Sequence, residues 1–490
     1  MDQLQTVKNE GETGRTNREI KLNTIKVLQR LDKEPSVNVY LVGGFVRDFL
    51  RGEKNDDLDV VVKGMTIKKL KAFLSKYGKV KLVELSKVKD SFAVKILLFS
   101  ASNDDLVAQI KLPSRGKKQI QDPNNTLRQD AAHRDFTINA MYLPVNAKER
   151  DEIIDFHGGK TDIGAKCIRA VGEPIERMQE HPIRLLRAIS LAARTGFTIN
   201  ENVLFAIKHC AHLLKNVHVD SIRKEFNHIL LCDKPSKYLK LMHILDLLDI
   251  MLPELTNCIN VTQEKKHHKW DVFHHCVYTC DHVDCELNLR LAGLLHDVGK
   301  PDTRKVIKGK GITFHKHEMV GAKIAKKALT RLGYDNNTKN QITKLVRLHM
   351  YHYTHEYSDN AIRRFIAKAG ITEKDLDDIS NFPLFKLRAG ERLGNGFKKV
   401  PVTARQEDFE KRIVKVYKET TAFGVNDLVL KGKDIMEIFE LKQSPLVGRV
   451  KKHLLSKVLS DQKLNNRVDL IKLAATYINK YKKFNKNKKK

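Results

Sequence analysis

The segment Tyr40-Leu-Val-Gly43-Gly44-Phe-Val-Arg47-Asp48 runs an apolar stretch straight into a double glycine. Glycines let the backbone turn and approach a ligand closely. A helix that begins there points its free N–H groups at whatever anion sits in the turn. A second apolar run follows and opens on two carboxylates, Asp57-Leu58-Asp59-Val60-Val-Val62. Alternate side chains of a strand share a face. Asp57 and Asp59 therefore point together, while Leu58, Val60 and Val62 turn to the core. Adjacent carboxylates repel each other, and a divalent cation removes that cost. Oxygen ligands of this kind suit Mg2+ held jointly with substrate phosphates. Such ions activate an attacking hydroxyl and steady a leaving pyrophosphate. Taken without their neighbours, the glycines also read as a plain turn, and Asn55-Asp56-Asp57 as an acidic turn opening an ordinary strand.

The rest of the 490-residue chain is long enough for about three domains and a large core without disulfide staples. A hydrophobic content of 41% excludes global disorder. No apolar run approaches the roughly 18 residues that cross a bilayer, and the polar N-terminus is no secretory signal. Seven cysteines is a sparse, odd count that suits reduced thiols in a cytoplasmic protein. Charge says more: 90 Lys+Arg against 59 Asp+Glu leave +31. That excess attracts polyanions, with nucleic acid as the leading partner and an anionic membrane surface second. A lysine-biased composition with solvated faces is the bland alternative.

Periodicity divides the chain. Residues 1–20 read as a flexible arm. Strands are expected at Val37–Val42, Leu58–Val62, Ala93–Phe99 and Leu106–Ile110, within a mixed head over 21–145. Residues 146–260 are mostly helical: Val203, Ile207, Cys210 and Leu214 repeat at helical spacing. A helix is expected from Pro182 to Arg194, stopped by Gly196. Histidines crowd the next region, 261–400, where 11 of the 20 lie between His267 and His355. A helical segment over 401–479 leads into a basic, disordered tail, 480–490, in which seven of eleven residues are lysine. Linkers are expected around Thr256–Lys266 and Asn395–Thr403.

A third element gives the first two their context: His133-Arg134-Asp135-Phe136-Thr137-Ile138-Asn139-Ala140. Gly-Gly-x-x-Arg-Asp, then Asp-x-Asp, then Arg-Asp-Phe-Thr-x-Asn-Ala resembles the ordered motif set of the bacterial-type (class II) tRNA nucleotidyltransferase and poly(A) polymerase family. Asp155-Phe-His-Gly158-Gly159 and Ile168-Arg-Ala-Val-Gly172 resemble its neck, and Glu180-His181-Pro-Ile-Arg184-Leu-Leu-Arg187 its base-reading helix. The resemblance implies template-independent nucleotide addition to an RNA 3′ end. It assigns the catalytic Mg2+ ions to Asp57 and Asp59 and the triphosphate to Gly43, Gly44, Arg47 and Asp48. Arg134, Asp135 and Asn139 are assigned to the incoming nucleotide and its ribose. Glu180, His181, Arg184 and Arg187 are assigned to the base-reading region. Arg184, Arg187 and Arg194 fall on one helix face and Leu185, Leu186, Ile189 and Ala193 on the other, a basic stripe outward over an apolar one. Three positions depart from the family: His181 replaces an aspartate that accepts from the base amino group, His133 replaces an arginine, and Gln109 stands where a third acid is usual. Asp104 and Asp105 lie close to it in sequence. Base selectivity is therefore open.

Leu294-Leu295-His296-Asp297-Val298-Gly299-Lys300 ends an apolar helix with a His-Asp pair, and His275, His315, His317 and His349 flank it. Imidazoles and a carboxylate are good ligands for a divalent transition metal. The pattern resembles the HD phosphohydrolase superfamily, and the resemblance implies one metal on His275, His296, Asp297 and Glu391. His317 and His349 are left to a second ion or to phosphate. Glu391 is one methylene longer than the usual aspartate. Cys276, Cys280 and Cys285 do not match a zinc spacing and read as buried free thiols. Trp270 with Lys265, Lys266, His267 and His268 reads as a solvated turn or an RNA contact.

The expected architecture is thus α+β: a small N-terminal nucleotidyltransferase head with a mixed β-sheet and flanking helices, an all-α neck and body, an α-helical HD domain and a helical C-terminal tail. The expected activity is addition of CMP and AMP, from CTP and ATP, to tRNA 3′ ends, with an HD phosphohydrolase in end repair. A poly(A) polymerase or a partial CC- or A-adding enzyme shares the motifs. A metal phosphohydrolase with an RNA-docking but inactive head is the rival of another class.

Overall fold

A computed structural model describes residues 17–55, 57–85, 94–100, 108–115, 120–264, 268–309, 311–351, 353, 357–420 and 422–487. The expectations for Asp104, Asp105, Lys265, Lys266, His267, most of the N-terminal arm and the last three lysines lie outside them. The chain forms two compact units. One runs to Cys232 and takes in Lys237–Met251; the other joins Asp233–Ser236 to everything from Leu252 onward.

The first unit opens with helix α1 (Asn17–Leu31), strand β1 (Asn38–Val42), helix α2 (Gly44–Arg51), strand β2 (Leu58–Lys63) and helix α3 (Ile67–Leu74). Strands β3 (Lys79–Leu85), β4 (Val94–Ser100) and β5 (Ala108–Lys111) follow, then a small hairpin of β6 (Ser114–Arg115) and β7 (Ile120–Gln121). Helix α4 (Leu127–Ala131) and strands β8 (Met141–Pro144) and β9 (Ile154–Asp155) complete the head. Seven strands pair in the order β3-β4-β5-β2-β1-β8-β9. Only β2 and β5 run parallel; the other pairs are antiparallel. The four expected strands appear with small shifts, although Ala93, Leu106 and Val107 lie outside the described residues. The strands β3, β8 and β9 were not anticipated.

Strands β1 and β2 are covered on both faces, which is why they read as near-continuous apolar runs. Leu58, Val60 and Val62 turn to a core shared with Leu28 and Leu31 of α1, Val46 of α2 and Leu70 and Leu74 of α3. Val61 turns the other way, to Val42, Tyr142 and to Leu127 and Ala131 of α4. Asp57 and Asp59 share the face of Val61, as period-2 alternation requires. Each fully buried Val or Leu contributes about 1.5–3 kcal/mol, so the register of β2, and with it the side of the carboxylates, is strongly specified.

The neck continues through helices α5 (Gly159–Gly164), α6 (Pro174–Glu180), α7 (Ile183–Thr195), α8 (Glu201–Cys210) and α9 (Val219–Leu230). Helix α7 begins one residue after Pro182 and ends at Gly196 in the left-handed conformation, φ 73°. Val203, Ile207, Cys210 and Leu214 are all buried. The outward basic stripe needs correction: Arg187 and Arg194 are exposed, whereas Arg184 is 3% exposed. Its guanidinium donates to the carbonyls of Arg177 (2.9 Å) and His133 (2.6 Å).

The second unit is helical. Helices 272–282, 287–295, 317–331 and 336–348 surround the histidines, and 359–369, 383–394 and 404–418 follow. Phe409, Ile413 and Val416 enter the same core as Tyr351, Ile362, Ile366 and Phe385, so that core extends past residue 400. A separate C-terminal core gathers Leu428, Ile435, Val450, Leu454, Leu470 and Ala474. Disorder from residue 480 is not what is seen: helix Arg467–Asn487 runs through the lysine-rich stretch. Lysine is a good helix former, and Leu470, Ala474 and Ile478 anchor the helix to that core. Cys276 and Cys280 are buried free thiols, but Cys285 is exposed. No helix among the described residues is long and apolar enough to cross a membrane.

The head is tied together at Asp130, 1% exposed. Its carboxylate accepts from Ser114 N and Oγ (both 2.8 Å), Tyr142 Oη (2.6 Å) and Arg134 Nη2 (2.9 Å). Burial alone would raise its pKa, but Arg134, Lys111 and these hydrogen bonds hold it well below the usual carboxylate range. Asp130→Asn leaves Arg134 buried without its counter-charge and is expected to cost about 3–5 kcal/mol in urea unfolding at pH 7. Because the folded pKa is depressed, Asp130 stabilises fully above the unfolded value of about 3.9, and that stabilisation is lost as pH falls through the folded value. The difference between wild type and variant should therefore shrink below about pH 4.

Candidate active sites

Gly43 sits at φ 68°, ψ −135°, a backbone geometry that suits glycine, and α2 starts immediately after it. A Cβ there would lie 3.1 Å from Asp59 Oδ2, so the turn and the carboxylate crowd one point. Asp57 is exposed and Asp59 half-buried. Burial pushes the Asp59 carboxyl up and the Asp57 charge adds to that, against the pull of Lys111 and Arg134. Gln109 pairs directly with Asp59 across β2 and β5, so an amide, not an acid, is the partner there.

Asn139 ties its own segment to the glycine-turn motif. Its Oδ1 accepts from Arg47 Nη1 (2.9 Å), its Nδ2 donates to Asp135 Oδ1 (3.4 Å) and its carbonyl accepts from Arg134 Nη1 (3.3 Å). Asp48 receives Arg47 Nε (2.8 Å) and Nη2 (2.6 Å), Arg51 Nη1 (3.1 Å) and Asn55 Nδ2 (2.7 Å). Burial opposes ionisation of Asp48, but these donors keep its pKa below the ordinary value. Asp135 accepts from Arg187 Nη1 at 3.1 Å. The other side of Arg187 meets Glu225 at 3.5 Å, and Glu225 also accepts from Ser190 Oγ. Glu180 is bracketed by Arg177 (2.7 Å) and Arg184 (3.2 Å), while His181 ends α6. The glycine turn, the carboxylate strand and the Arg134–Asn139 segment thus meet at one place. Asp130, Lys111, Asn55, Arg177 and Glu225 were missed from sequence. Two of them carried a signal, the i,i+4 spacing of Asp130 to Arg134 and the i,i+3 spacing of Arg177 to Glu180.

In the second unit His275, His296, Asp297, His317 and His349 are each no more than 5% exposed. Asp297 belongs to two triads whose ligand atoms lie within 4.8 Å of one another: His275, His296, Asp297 and Asp297, His317, His349. Three of the rings are fixed by backbone. His296 Nδ1 faces Gly293 O (2.8 Å), His317 Nδ1 faces Phe314 O (2.8 Å) and His349 Nδ1 faces Val346 O (2.7 Å). A carbonyl only accepts, so in the neutral ring Nδ1 carries the proton and Nε2 keeps a lone pair. His317 Nε2 and His349 Nε2 then oppose each other at 3.2 Å and face Asp297 Oδ1 at 3.2 and 3.6 Å. Asp297 Oδ1 is buried with no hydrogen-bond donor. Three converging lone pairs are what a cation relieves, so the donor set fits a divalent transition metal. Lys300, also missed, meets Asp297 Oδ2 at 2.6 Å. Glu391 stands outside both triads: Arg388 holds its carboxylate at 2.9 Å, although it is near enough for the histidines to help lower its pKa to about 2 against burial.

Comparison with known proteins follows the same division. Residues 39–169 match the Poly A polymerase head domain, 196–259 the probable RNA and SrmB-binding site of polymerase A, and 267–417 the HD domain. The chain is 29% identical over 336 residues to the A-adding tRNA nucleotidyltransferase of Deinococcus radiodurans, spanning 66% of this chain and 73% of that protein. It is 28% identical over 347 residues to the multifunctional CCA protein of Verminephrobacter eiseniae, spanning 68% and 79%. Among solved structures, the Bacillus stearothermophilus CCA-adding enzyme in complex with CTP shares the fold, with a TM-score of 0.62 at 16% identity over 94% of this chain and 98% of that one. Motifs, site geometry and relatives agree: the chain carries the poly(A) polymerase-type head, the RNA-binding segment and the HD domain, in that order along the sequence, and its relatives are tRNA nucleotidyltransferases and multifunctional CCA proteins.

Proposed function

We propose that this chain is a cytoplasmic, CCA-adding tRNA nucleotidyltransferase that uses CTP and ATP, with a phosphohydrolase centre in its HD domain. The carrying observation is the convergence of Asp57 and Asp59 with the Gly43 turn and the Arg47–Asn139–Asp135 hydrogen bonds. In this reading residues 21–145 carry the chemistry and 146–260 read nucleotide and RNA. Residues 261–400 hydrolyse phosphoesters and the C-terminal segment holds tRNA by shape and phosphate contacts.

The carboxylates of Asp57 and Asp59 suit Mg2+, which, when bound, supplies Lewis acidity at the attacking hydroxyl and the triphosphate. The glycine turn lets backbone N–H groups approach the phosphates, and Arg47 brings positive charge beside them. Arg134, Asp135 and Asn139 orient the sugar, and Arg187, held by Asp135 and Glu225, braces the base. The tRNA 3′ oxygen attacks the α-phosphorus, the α–β bridging bond breaks and pyrophosphate leaves. His181 stands where the family places an acid, and one neutral tautomer accepts a base amino proton. An A-adding enzyme is the second reading, favoured by the Deinococcus relative.

In the HD domain, His275, His296 and Asp297 with His317 and His349 form the ligand set for a transition metal, which, when bound, supplies Lewis acidity for phosphoester hydrolysis. Glu391, paired with Arg388, tunes the field beside it.

A tRNA lacking CCA, incubated with CTP and ATP and then end-sequenced, should gain CCA; single A or long A tracts would favour the alternatives. Asp57→Asn and Asp59→Asn should each slow addition about a thousandfold, matching loss of about 4 kcal/mol of transition-state stabilisation, with tRNA binding retained by gel shift. Asp297→Ala should abolish metal-dependent hydrolysis of a cyclic nucleoside phosphate and leave nucleotide addition within about twofold, since it removes the carboxylate shared by both triads.

A further inference from the structure

Beside the HD centre lies a surface whose residues have no role in the sites described above. Trp270, the chain's one tryptophan, leads into helix 272–282, and His274 and Tyr278 follow at successive turns. All three rings are half-exposed. Ring centroids are 5.1 Å apart for Trp270 and Tyr278, 6.4 Å for Trp270 and His274 and 6.1 Å for His274 and Tyr278. The Lys269 ammonium stands 4.7 Å from the Trp270 ring centroid.

The segment after helix 383–394 closes against these rings. Lys269 N donates to Asn395 O at 3.2 Å, and a Cβ on Gly396, at φ +87°, would come 2.4 Å from Trp270 Nε1. Phe397 and Val400 follow, 54% and 58% exposed, with exposed Lys398 and Lys399 between them. Arg392 Nε fixes this lip by donating to Val400 O at 3.2 Å. The acids nearby are already engaged: Asp271 accepts from Asn260 N and His274 N, both 2.8 Å, and Glu391 is held by Arg388. His268 connects the surface to the metal-binding histidines, 5.1 Å from the His275 ring and 3.1 Å from Asn395 Nδ2.

The three rings are tilted against one another, by 36° to 54°, and form a half-exposed aromatic cluster interleaved with cations; such clusters hold unpaired nucleotides, because every base has a π-face and the lysines meet the phosphates. A duplex offers no free base faces and would meet only the charges. We infer that the Trp270–Tyr278 surface with its Phe397–Val400 lip binds a single-stranded RNA end beside the HD centre. The HD substrate would then be the phosphate of an RNA terminus. That last step rests on the hydrolase reading above, whereas binding at the surface does not.

The test reads Trp270 fluorescence in the full-length chain, in EDTA so that hydrolysis plays no part. A short single-stranded RNA with a 3′ phosphate should quench emission to saturation, and a blunt duplex of equal length should not. Lys398→Glu with Lys399→Glu, and separately Phe397→Ala, should weaken the quench-detected affinity about tenfold. RNA binding seen by its own anisotropy with unchanged tryptophan emission would overturn the proposal. So would no binding at all, equal quenching by duplex, or wild-type affinity in both variants. Quenching without hydrolysis once metal is restored would count against the HD reading and leave the surface standing.

Discussion

Two like charges held on one face of one strand are the constraint around which the head is built. Strand β2 is locked in register by Leu58, Val60, Val61 and Val62, all buried at 1% exposure or less. Its alternation then leaves Asp57 and Asp59 no choice but to project together. The repulsion this creates, with the burial of Asp59, is opposed within the protein by Lys111, Arg134 and Lys224. Arg134 is in turn fixed by Asp130 and Tyr142. Core packing therefore sets the carboxylates, and the cation proposed above would answer their mutual repulsion.

The HD centre solves a related problem with different atoms. Backbone carbonyls fix three imidazoles in the tautomer that turns lone pairs inward, onto a carboxylate that already has one cation, Lys300, on its other oxygen. Sites of this kind are costly without an ion, because buried acceptors face acceptors. Each centre lies within a single compact unit, one in the first and the other in the second.

Much of this was legible in the chain. The glycine turn, the Asp-x-Asp strand and the Arg134–Asn139 segment are local in sequence; spacing puts the two carboxylates on one face, and the nucleotide roles come from the resemblance to the family. The helix stop at Gly196 and the buried face of α8 follow from periodicity. Illegible parts depend on partners distant in sequence. Arg184 reads as an outward stripe residue, yet the carbonyls of Arg177 and His133 draw it inward. Glu391 reads as a metal ligand only by resemblance; its carboxylate pairs with Arg388 one turn away and also feels the histidines, and that pairing is not visible from position alone. The lysine tail reads as disordered by composition, while helix propensity and three apolar anchors extend it to Asn487.

Metal at the paired aspartates is tested more directly by binding than by turnover. Titration of Mn2+ into the chain with a non-hydrolysable CTP analogue, read by electron paramagnetic resonance, should give nucleotide-dependent metal binding. That binding should weaken more than about tenfold in Asp59→Asn, as expected for removal of a charged oxygen ligand. Metal affinity unchanged in that variant, with the nucleotide still bound, would contradict the account.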